Sequence, residues 1–269
     1  MKNGDNMISI VTATYNRGKK IKKLYDSLVQ QTNKNFEWII IDDGSIDNTK
    51  YIVENFILEN KIKIYYFVKE NGGKHTAINY ILDKNEFLKE LVFFVDSDDY
   101  LINDAIANIL SEWKNIQNKN QFCGLCFQRI DIKTNKIITK KFPENRYDAN
   151  IFTLIKKDKI YGDKAEIFLK DELIKWRFPE IKGEKFFSEL YVWIEVMRNK
   201  KMRFINKGIY FCEYLNDGYT KNFNTLLKNN PIGCEMYYKK MIKEKRLGMI
   251  FRLKSLYRLF QVYFMRGKK

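Results

Sequence analysis

Histidine occurs once in this chain of 269 residues, as His75, and proline three times, as Pro143, Pro179 and Pro231. A single imidazole excludes any site built from several histidines, and so few prolines leave no proline-rich linker between domains. Cysteine is almost as scarce, at four residues. Cys123 and Cys126 form a CGLC pair, but no second CxxC accompanies it, and a tetrahedral zinc centre needs four ligands. The pair lies in the apolar stretch QFCGLCFQRI, so two buried, reduced, structural thiols are expected. No uncharged apolar run reaches the roughly 18 residues of a membrane-spanning helix. The polar opening MKNGDN lacks the apolar core of a secretory signal, which makes cytoplasmic residence the expectation. Neither GxxxxGK[ST] nor GxGxxG is present, which weakens a kinase or a dinucleotide enzyme.

What is abundant is apolar and aromatic side chain, at 45% and 15% of residues, ample for a real core. The net charge of +16 is unevenly spread. Residues 1–110 carry 14 Lys and Arg against 16 Asp and Glu, a net of −2, and the remaining 159 carry 35 against 17, a net of +18. An acidic half and a basic half should meet different partners.

Continuous apolar runs at 7–13, 36–41, 61–68 and 90–96 read as strands, and they alternate with amphipathic helical stretches at 19–31, 49–59 and 74–88. Strands of this kind indicate a parallel sheet covered on both faces, with ligands bound outside its carboxyl edge. Four polar clusters fall at that edge: TATYNR, DDGS, ENGGK and DSDD. Beyond residue 110 the pattern loosens. It predicts a helix to about 118, strands near 121–130 and 136–142, and helical stretches near 148–157, 168–176 and 188–200. A strand then begins at about 201. No internal repeat appears, so one catalytic domain is expected through residue 222, with a donor half at 7–115 and an acceptor half at 116–222.

The run VFFVDSDDYL ends a buried strand in three like charges. Asp96 and Asp98, one residue apart at a strand end, can both reach one hard cation such as Mg²⁺ or Mn²⁺, which bridges to phosphate oxygens. Aspartates also cap turns by bonding local amides, which accounts for one or two acids but not three. With a net charge of −2 around it, such a site would hold a nucleotide diphosphate through a divalent ion rather than through basic side chains alone.

VTATYNR, IIIDDGSIDNT, NGGKHTAIN and VFFVDSDDYL, in this order and spacing, resemble glycosyltransferase family 2 with a GT-A fold. The resemblance covers residues 7 to about 115 most clearly and continues to about 222. It implies an α/β architecture, a Rossmann-like and mostly parallel central sheet with flanking helices. It also implies inverting transfer of a sugar from a nucleotide diphospho-sugar, most often a UDP-sugar. Carried over by motif, Thr12, Ala13, Thr14, Tyr15 and Arg17 would line the nucleotide pocket, with Asp42 on the base and Asp43 beside it. Asn71, Gly72, Gly73 and Lys74 would close over the nucleotide. Asp96 and Ser97 would lie at the ribose or a metal-bound water, and Asp98 would ligate the metal with Asp96 next to it.

Family members present the catalytic base in a Glu-Asp pair with an aromatic residue four positions after the Asp. Here Trp193 lies four after Glu189 in FFSELYVW, so Glu189 takes the base position, Ser188 replaces the preceding acid, and Trp193 would lie against the acceptor. Glu184 is the alternative base. YGDKAEIF resembles the acceptor-side segment, offering Asp163, Lys164 and Glu166, and YLNDGYT resembles the loop that folds over the phosphates, where Asp217 is the only acid. His75 is read as structural or adjacent to the donor.

Residues 223–269 form a basic tail. From 240 onward ten Lys and Arg face one acid, Glu244. On a helix, Leu253, Leu256, Tyr257, Phe260 and Phe264 share one side, opposite Lys254, Ser255, Arg258 and Gln261, the signature of an amphipathic helix on an anionic bilayer. The same face could pack on the domain or form a dimer contact. Peripheral attachment at the inner face of the cell membrane suits a polyprenyl-diphosphate-linked acceptor in bacterial surface-polysaccharide synthesis. Two other readings use the same features. The charge and aromatic content fit a non-catalytic nucleic-acid-binding protein, although the acidic edge would repel phosphate without a metal. A metal-dependent nucleotidyltransferase would use the same acids but lacks its Gly-rich, arginine-bearing loop.

Overall fold

The computed structural model describes residues 7–213 and 223–266. Its first part alternates strand and helix: β1 (Ile8–Thr14), α1 (Gly18–Val29), β2 (Phe36–Asp42), α2 (Thr49–Glu59), β3 (Ile64–Val68), α3 (Lys74–Asp83) and β4 (Leu91–Phe94). Then come β5 (Tyr100–Leu101), α4 (Ala105–Lys114), β6 (Phe122–Asp131), β7 (Lys136–Ile137), β8 (Arg146–Ala149) and α5 (Ile151–Lys156). β9 (Ala165–Leu169), α6 (Lys170–Leu173), α7 (Leu190–Val196) and β10 (Lys201–Cys212) follow. The C-terminal helices are α8 (Phe223–Asn229), α9 (Pro231–Lys243) and α10 (Met249–Arg266).

One sheet runs β3-β2-β1-β4-β9-β6-β10-β5. β3, β2, β1 and β4 are mutually parallel, β9 is antiparallel to both β4 and β6, and β10 returns parallel to β6. Both faces are covered, which is why the strands read as unbroken apolar runs. Ile8, Ile10, Trp38, Ile40, Leu91 and Phe93 bury one face together with Ile21, Leu24 and Leu28 of α1 and Ile106 and Ile109 of α4. Val11, Ile39, Ile41 and Val92 bury the other, with Ala77, Ile78 and Ile81 of α3 and Trp193 and Ile194 of α7.

Several elements differ from the sequence expectation. The stretch 168–176 is mostly not helical. Phe168 and Leu169 end β9, and only Lys170–Leu173 turn as α6. β9 itself is short and lies within the stretch read as an acceptor segment, so no periodic signal revealed a central strand there. The strand at 136–142 shrinks to β7, and the helix expected from 148 begins at Ile151, after β8 pairs with β10.

The CGLC pair is structural. All four cysteines are unbridged and buried. Residues three apart in a regular strand face opposite ways, yet Cys123 and Cys126 enter the same core. A bulge between the pairs Phe122–Lys201 and Gly124–Met202 puts them there. Burial raises the Cys123 thiol to about 12, so neither reactivity nor metal ligation is favoured.

α9 and α10 form an antiparallel hairpin: Arg252 Nε donates to the Ile242 carbonyl at 2.6 Å, and Arg266 pairs with Glu235 at 3.0 Å. α9 is docked on the sheet-bearing body through buried Met241 and through Lys240–Glu195 at 2.9 Å. The inner face of α10 is Ser255, Leu259 and Val262. No helix among the described residues is long and apolar enough to cross a membrane.

Gly124 has φ of +148°, and a Cβ there would overlap the Ile167 carbonyl of β9. Gly124→Ala should therefore cost about 3 kcal/mol, at the upper end of overpacking effects. Urea unfolding of the variant checks this, and a loss well under 1 kcal/mol would mean that the β6–β9 contact yields freely.

Candidate active site

The loops at the carboxyl ends of β1, β2, β3 and β4 are tied to one another by side chains. Asn16 N–H donates to Ser45 Oγ at 2.9 Å, and Asn16 Oδ1 accepts from Ile46 N–H at 2.9 Å. Asp47 accepts from Gly18 N–H at 3.2 Å and from Thr49 N–H at 3.0 Å, joining the first and second loops. Asp43 organises the third loop: its carboxylate accepts from Lys69 Nζ at 2.8 Å, Asn71 Nδ2 at 3.0 Å, Gly72 N–H at 3.0 Å and Gly73 N–H at 2.6 Å. That carboxylate is filled by the loop, so Asp43 shapes the edge. Asp42 is likewise engaged, by Ser45 N–H at 2.7 Å and by the Tyr66 hydroxyl at 2.5 Å.

Gly73 starts α3 with φ of +96°, and a Cβ on it would overlap the Lys185 carbonyl. Only glycine lets the two backbones approach so closely. The next residue, Lys74, thus enters between the halves. Its ammonium lies 2.5 Å from Asp96 Oδ1 and 2.7 Å from Glu189 Oε1. Burial opposes its charge, but these two carboxylates raise its proton affinity above the ordinary lysine range.

Asp96 has further partners. Arg129 Nη1 of β6 lies 3.7 Å from Asp96 Oδ2, and the Tyr210 hydroxyl of β10 accepts from Asp96 N–H at 2.9 Å. Burial would raise Asp96, yet Lys74 and Arg129 hold it down at about 2. Tyr210 donates to Asp99 Oδ2 at 2.7 Å, and the Arg129 guanidinium stacks 4.2 Å from the Tyr210 ring. Burial, together with the Asp96 charge, raises Asp99 to about 7. Ser97 is buried beside them. Asp98 keeps a loose contact with Arg17 at 3.8 Å.

The acceptor-side residues lie on β9 and the turn before it. Arg129 Nε donates to the Lys164 carbonyl at 2.9 Å, and Lys164 Nζ is 3.9 Å from Glu166. Burial raises Glu166, with Lys164 and Arg129 opposing, and the Asp163 charge also reaches Arg129. One cluster therefore brings together Lys74, Asp96, Glu189, Arg129 and Glu166.

Other named residues have structural positions. Thr12 is buried and its hydroxyl accepts from Trp38 Nε1 at 2.9 Å. Thr14 is buried and Ala13 half-buried, while Tyr15 is exposed at the edge. Both oxygens of Glu184, the alternative base, accept from the first turn of α9, Ile232 N–H and Gly233 N–H at 2.7 Å each. Glu184 is a helix cap, a correction to its reading as a base. Trp193 is also corrected from an acceptor contact to a core residue, packed on Phe94, Phe168 and Phe178 with ring centroids 4.6–5.6 Å away. It fixes the helix that follows Glu189. His75 is buried near Phe178 and Phe187, and burial lowers its pKa. Asp217 and the YLNDGYT loop lie outside the described residues. Arg129 and Tyr210 were missed in the sequence, although a charged residue closing the apolar FCGLCFQRI strand was the visible signal for Arg129.

Among the described residues, no group of three or more His, Cys, Asp or Glu side chains could hold a metal ion by itself. Asp98, with its loose partner, and Asp96 beside it offer hard carboxylate oxygens that fit Mn²⁺ or Mg²⁺. Such an ion would complete its shell with water and phosphate oxygens, as Mg²⁺ habitually does.

Residues 9–171 match the profile of Glycosyl transferase family 2, and the chain belongs to that family. A curated relative, the GalNAc(5)-diNAcBac-PP-undecaprenol beta-1,3-glucosyltransferase of Campylobacter jejuni, is 26% identical over 205 residues, covering 75% of this chain and 62% of the relative. The crystal structure of S. aureus TarS 1-349 in complex with UDP-GlcNAc aligns with a TM-score of 0.66 at 19% identity, over 97% of this chain and 73% of that one. Mannosyltransferase PcManGT from Pyrobaculum calidifontis, in complex with GDP-Man and Mn²⁺, aligns at 0.63 and 14% identity, over 99% and 75%. These likenesses establish the GT-A fold. The chain spans between about a third and two thirds of the length of the first curated relatives it matches.

A group whose folded pKa is raised contributes stability that is complete below its unfolded pKa and is lost as pH rises through the folded value. For Asp99 that window runs from about 4 to about 7. Asp99→Asn should therefore flatten the decline in melting temperature between about pH 4 and pH 7. An equal decline in both proteins would show that Asp99 is already ionised throughout.

Proposed function

We propose that this chain is an inverting glycosyltransferase that moves a sugar from a nucleotide diphospho-sugar, UDP-linked, to a glycan or polyprenyl-diphosphate-linked acceptor in bacterial surface-polysaccharide synthesis. The observation that carries the proposal is the convergence of Asp96, from the donor loops, and Glu189, from the acceptor half, on the single ammonium of Lys74. Support also comes from the family and from the nucleotide-sugars named in the two structural neighbours. The PP-undecaprenol in the Campylobacter relative's name supports a lipid-linked acceptor.

Glu189 takes the proton of the acceptor hydroxyl as that oxygen bonds to the anomeric carbon. The bond from that carbon to the diphosphate oxygen breaks, and its electron pair leaves with the diphosphate. Asp98, with Asp96, would hold Mn²⁺ or Mg²⁺, which would supply Lewis-acid stabilisation of that leaving group. Arg129 and Lys74 keep Asp96 ionised and in place. Lys164 and Glu166, with Asp163 beside them, offer polar groups for acceptor hydroxyls. The loops carrying Tyr15, Arg17 and Asn71 form the nucleotide side.

We also place the enzyme on an anionic membrane surface through α10. Met249, Ile250, Leu253, Leu256, Tyr257, Phe260 and Tyr263 are between 37% and 72% exposed and, by helical spacing, form one continuous outer face flanked by Arg252 and Lys254. An apolar face bordered by cations fits the boundary between anionic headgroups and acyl chains.

Thermal melts with nucleotide diphosphates and nucleotide-sugars, with and without Mn²⁺, test the donor site. A ligand at about 100 times its dissociation constant adds roughly 2.7 kcal/mol. UDP or one UDP-sugar should stabilise the protein in the presence of Mn²⁺, and Asp98→Asn should lose that effect. Glu189→Gln should retain nucleotide binding and lose about 10²–10⁴-fold in turnover. Near-normal turnover would remove Glu189 from the role of base. Co-sedimentation with phosphatidylglycerol vesicles should fall sharply in Leu253→Glu/Phe260→Glu. Unchanged sedimentation would defeat the membrane assignment.

A further inference from the structure

The Lys74 ammonium cannot serve two functions at once. Its contact with Glu189 engages the carboxylate that an acceptor hydroxyl must reach, and its contact with Asp96 points it at the donor side. The three side chains are only 31–39% exposed, so the pairings occupy a confined space that opens toward solvent. Among the described residues, Lys74 is the one basic side chain that forms an ion pair with Glu189. Asp96, by contrast, keeps Arg129 at 3.7 Å if Lys74 departs, and its own N–H stays on the Tyr210 hydroxyl at 2.9 Å. The arrangement is asymmetric: Asp96 is secured without Lys74, and Glu189 is not.

We infer that Lys74 is an exchangeable counter-ion that a donor's diphosphate draws away from Glu189, so that Glu189 opens to an acceptor only in the donor-loaded enzyme. The inference rests on the proposed donor site and on Glu189 as base, and it adds an order of events. Lysine suits the exchange, because its charge is a compact head on a flexible four-carbon stem with three rotatable donors. The backbone supports it: Lys74 is the first residue of α3, and Gly73 before it is fixed by Asp43 and pressed against the Lys185 carbonyl. The stem therefore has a fixed root, and only the head needs to move. Lys74 is a positioning residue in this scheme; it neither donates nor accepts the transferred proton.

If Glu189 and the diphosphate compete for one ammonium, removing the Glu189 charge must strengthen nucleotide binding, and it must do so through Lys74. Calorimetric titration of UDP in Mg²⁺ into the full chain, Lys74→Gln, Glu189→Gln and the double variant measures this as a double-mutant cycle. Glu189→Gln is expected to tighten UDP about fivefold or more. Lys74→Gln should weaken UDP, and in its background Glu189→Gln should change little. Lys74→Arg, which keeps the charge, should keep the tightening by Glu189→Gln, a result that a purely structural role would not give. Equal tightening with and without Lys74 would mean diffuse repulsion and would overturn the exchange. Unchanged UDP affinity in Lys74→Gln would overturn it as well. If neither UDP nor any other nucleotide diphosphate binds the unaltered chain, the donor-site reading fails first and takes the exchange with it.

Discussion

A sheet edge that collects acids from the loops after β2, β3 and β4 is stable only if cations are built in among them, and here the decisive one is Lys74. It joins a residue of the donor loops to a residue of the acceptor half, so the two parts of the fold share one charge. Much of the local structure serves to place it. Asp43 gathers the amides of the ENGGK turn, and Gly73 permits the close approach of the 185 backbone. Trp193 anchors the helix beginning at Leu190, just after Glu189. Arg129 plays the corresponding part for the other side of Asp96. Isolated buried carboxylates would shift toward their neutral forms, and these two cations keep Asp96 ionised.

The C-terminal helices are part of the same construction. Glu184 and Asn230 clasp each other's segments: Glu184 accepts from the first turn of α9, and Asn230 Oδ1 accepts from Lys185 N–H and Phe186 N–H at 2.9 and 3.0 Å. The segment leading to Glu189 is thus braced by α9. The outer face of α10 belongs to the opposite side of the hairpin and leaves this brace undisturbed.

The sequence revealed the donor half well because its signals are local. Solid apolar strands, amphipathic helices and polar turns repeat at short range, and four motifs in register point to one sheet edge. The acidic cluster at 96–99 was legible as part of that edge for the same reason. What escaped depends on distant pairing. β9 has five residues and no periodic signature, so its insertion between β4 and β6 could not be read from its own composition. Arg129 and Tyr210 acquire meaning only when β6 and β10 bring them to Asp96. Glu184 resembled a base because acids near a predicted site look alike until their partners are known, and its partners lie 48 and 49 residues away. Trp193 matched a spacing rule, but its spacing reports how α7 is seated in the core.

The antiparallel strand at the centre of the sheet has a consequence for how the chain is made. β4 is the last of the four parallel strands, and its outer edge pairs with β9, about 75 residues further along. During synthesis the first hundred residues can assemble their sheet, yet the backbone donors and acceptors along β4 stay uncovered until β9 arrives. A flat, apolar strand edge in that state is a template for pairing with other chains. Non-local closure of this kind is also slow, because the loop entropy is lost before the pairing rewards it. The interval between completing β4 and docking β9 is therefore the point at which a nascent chain is most exposed to aggregation.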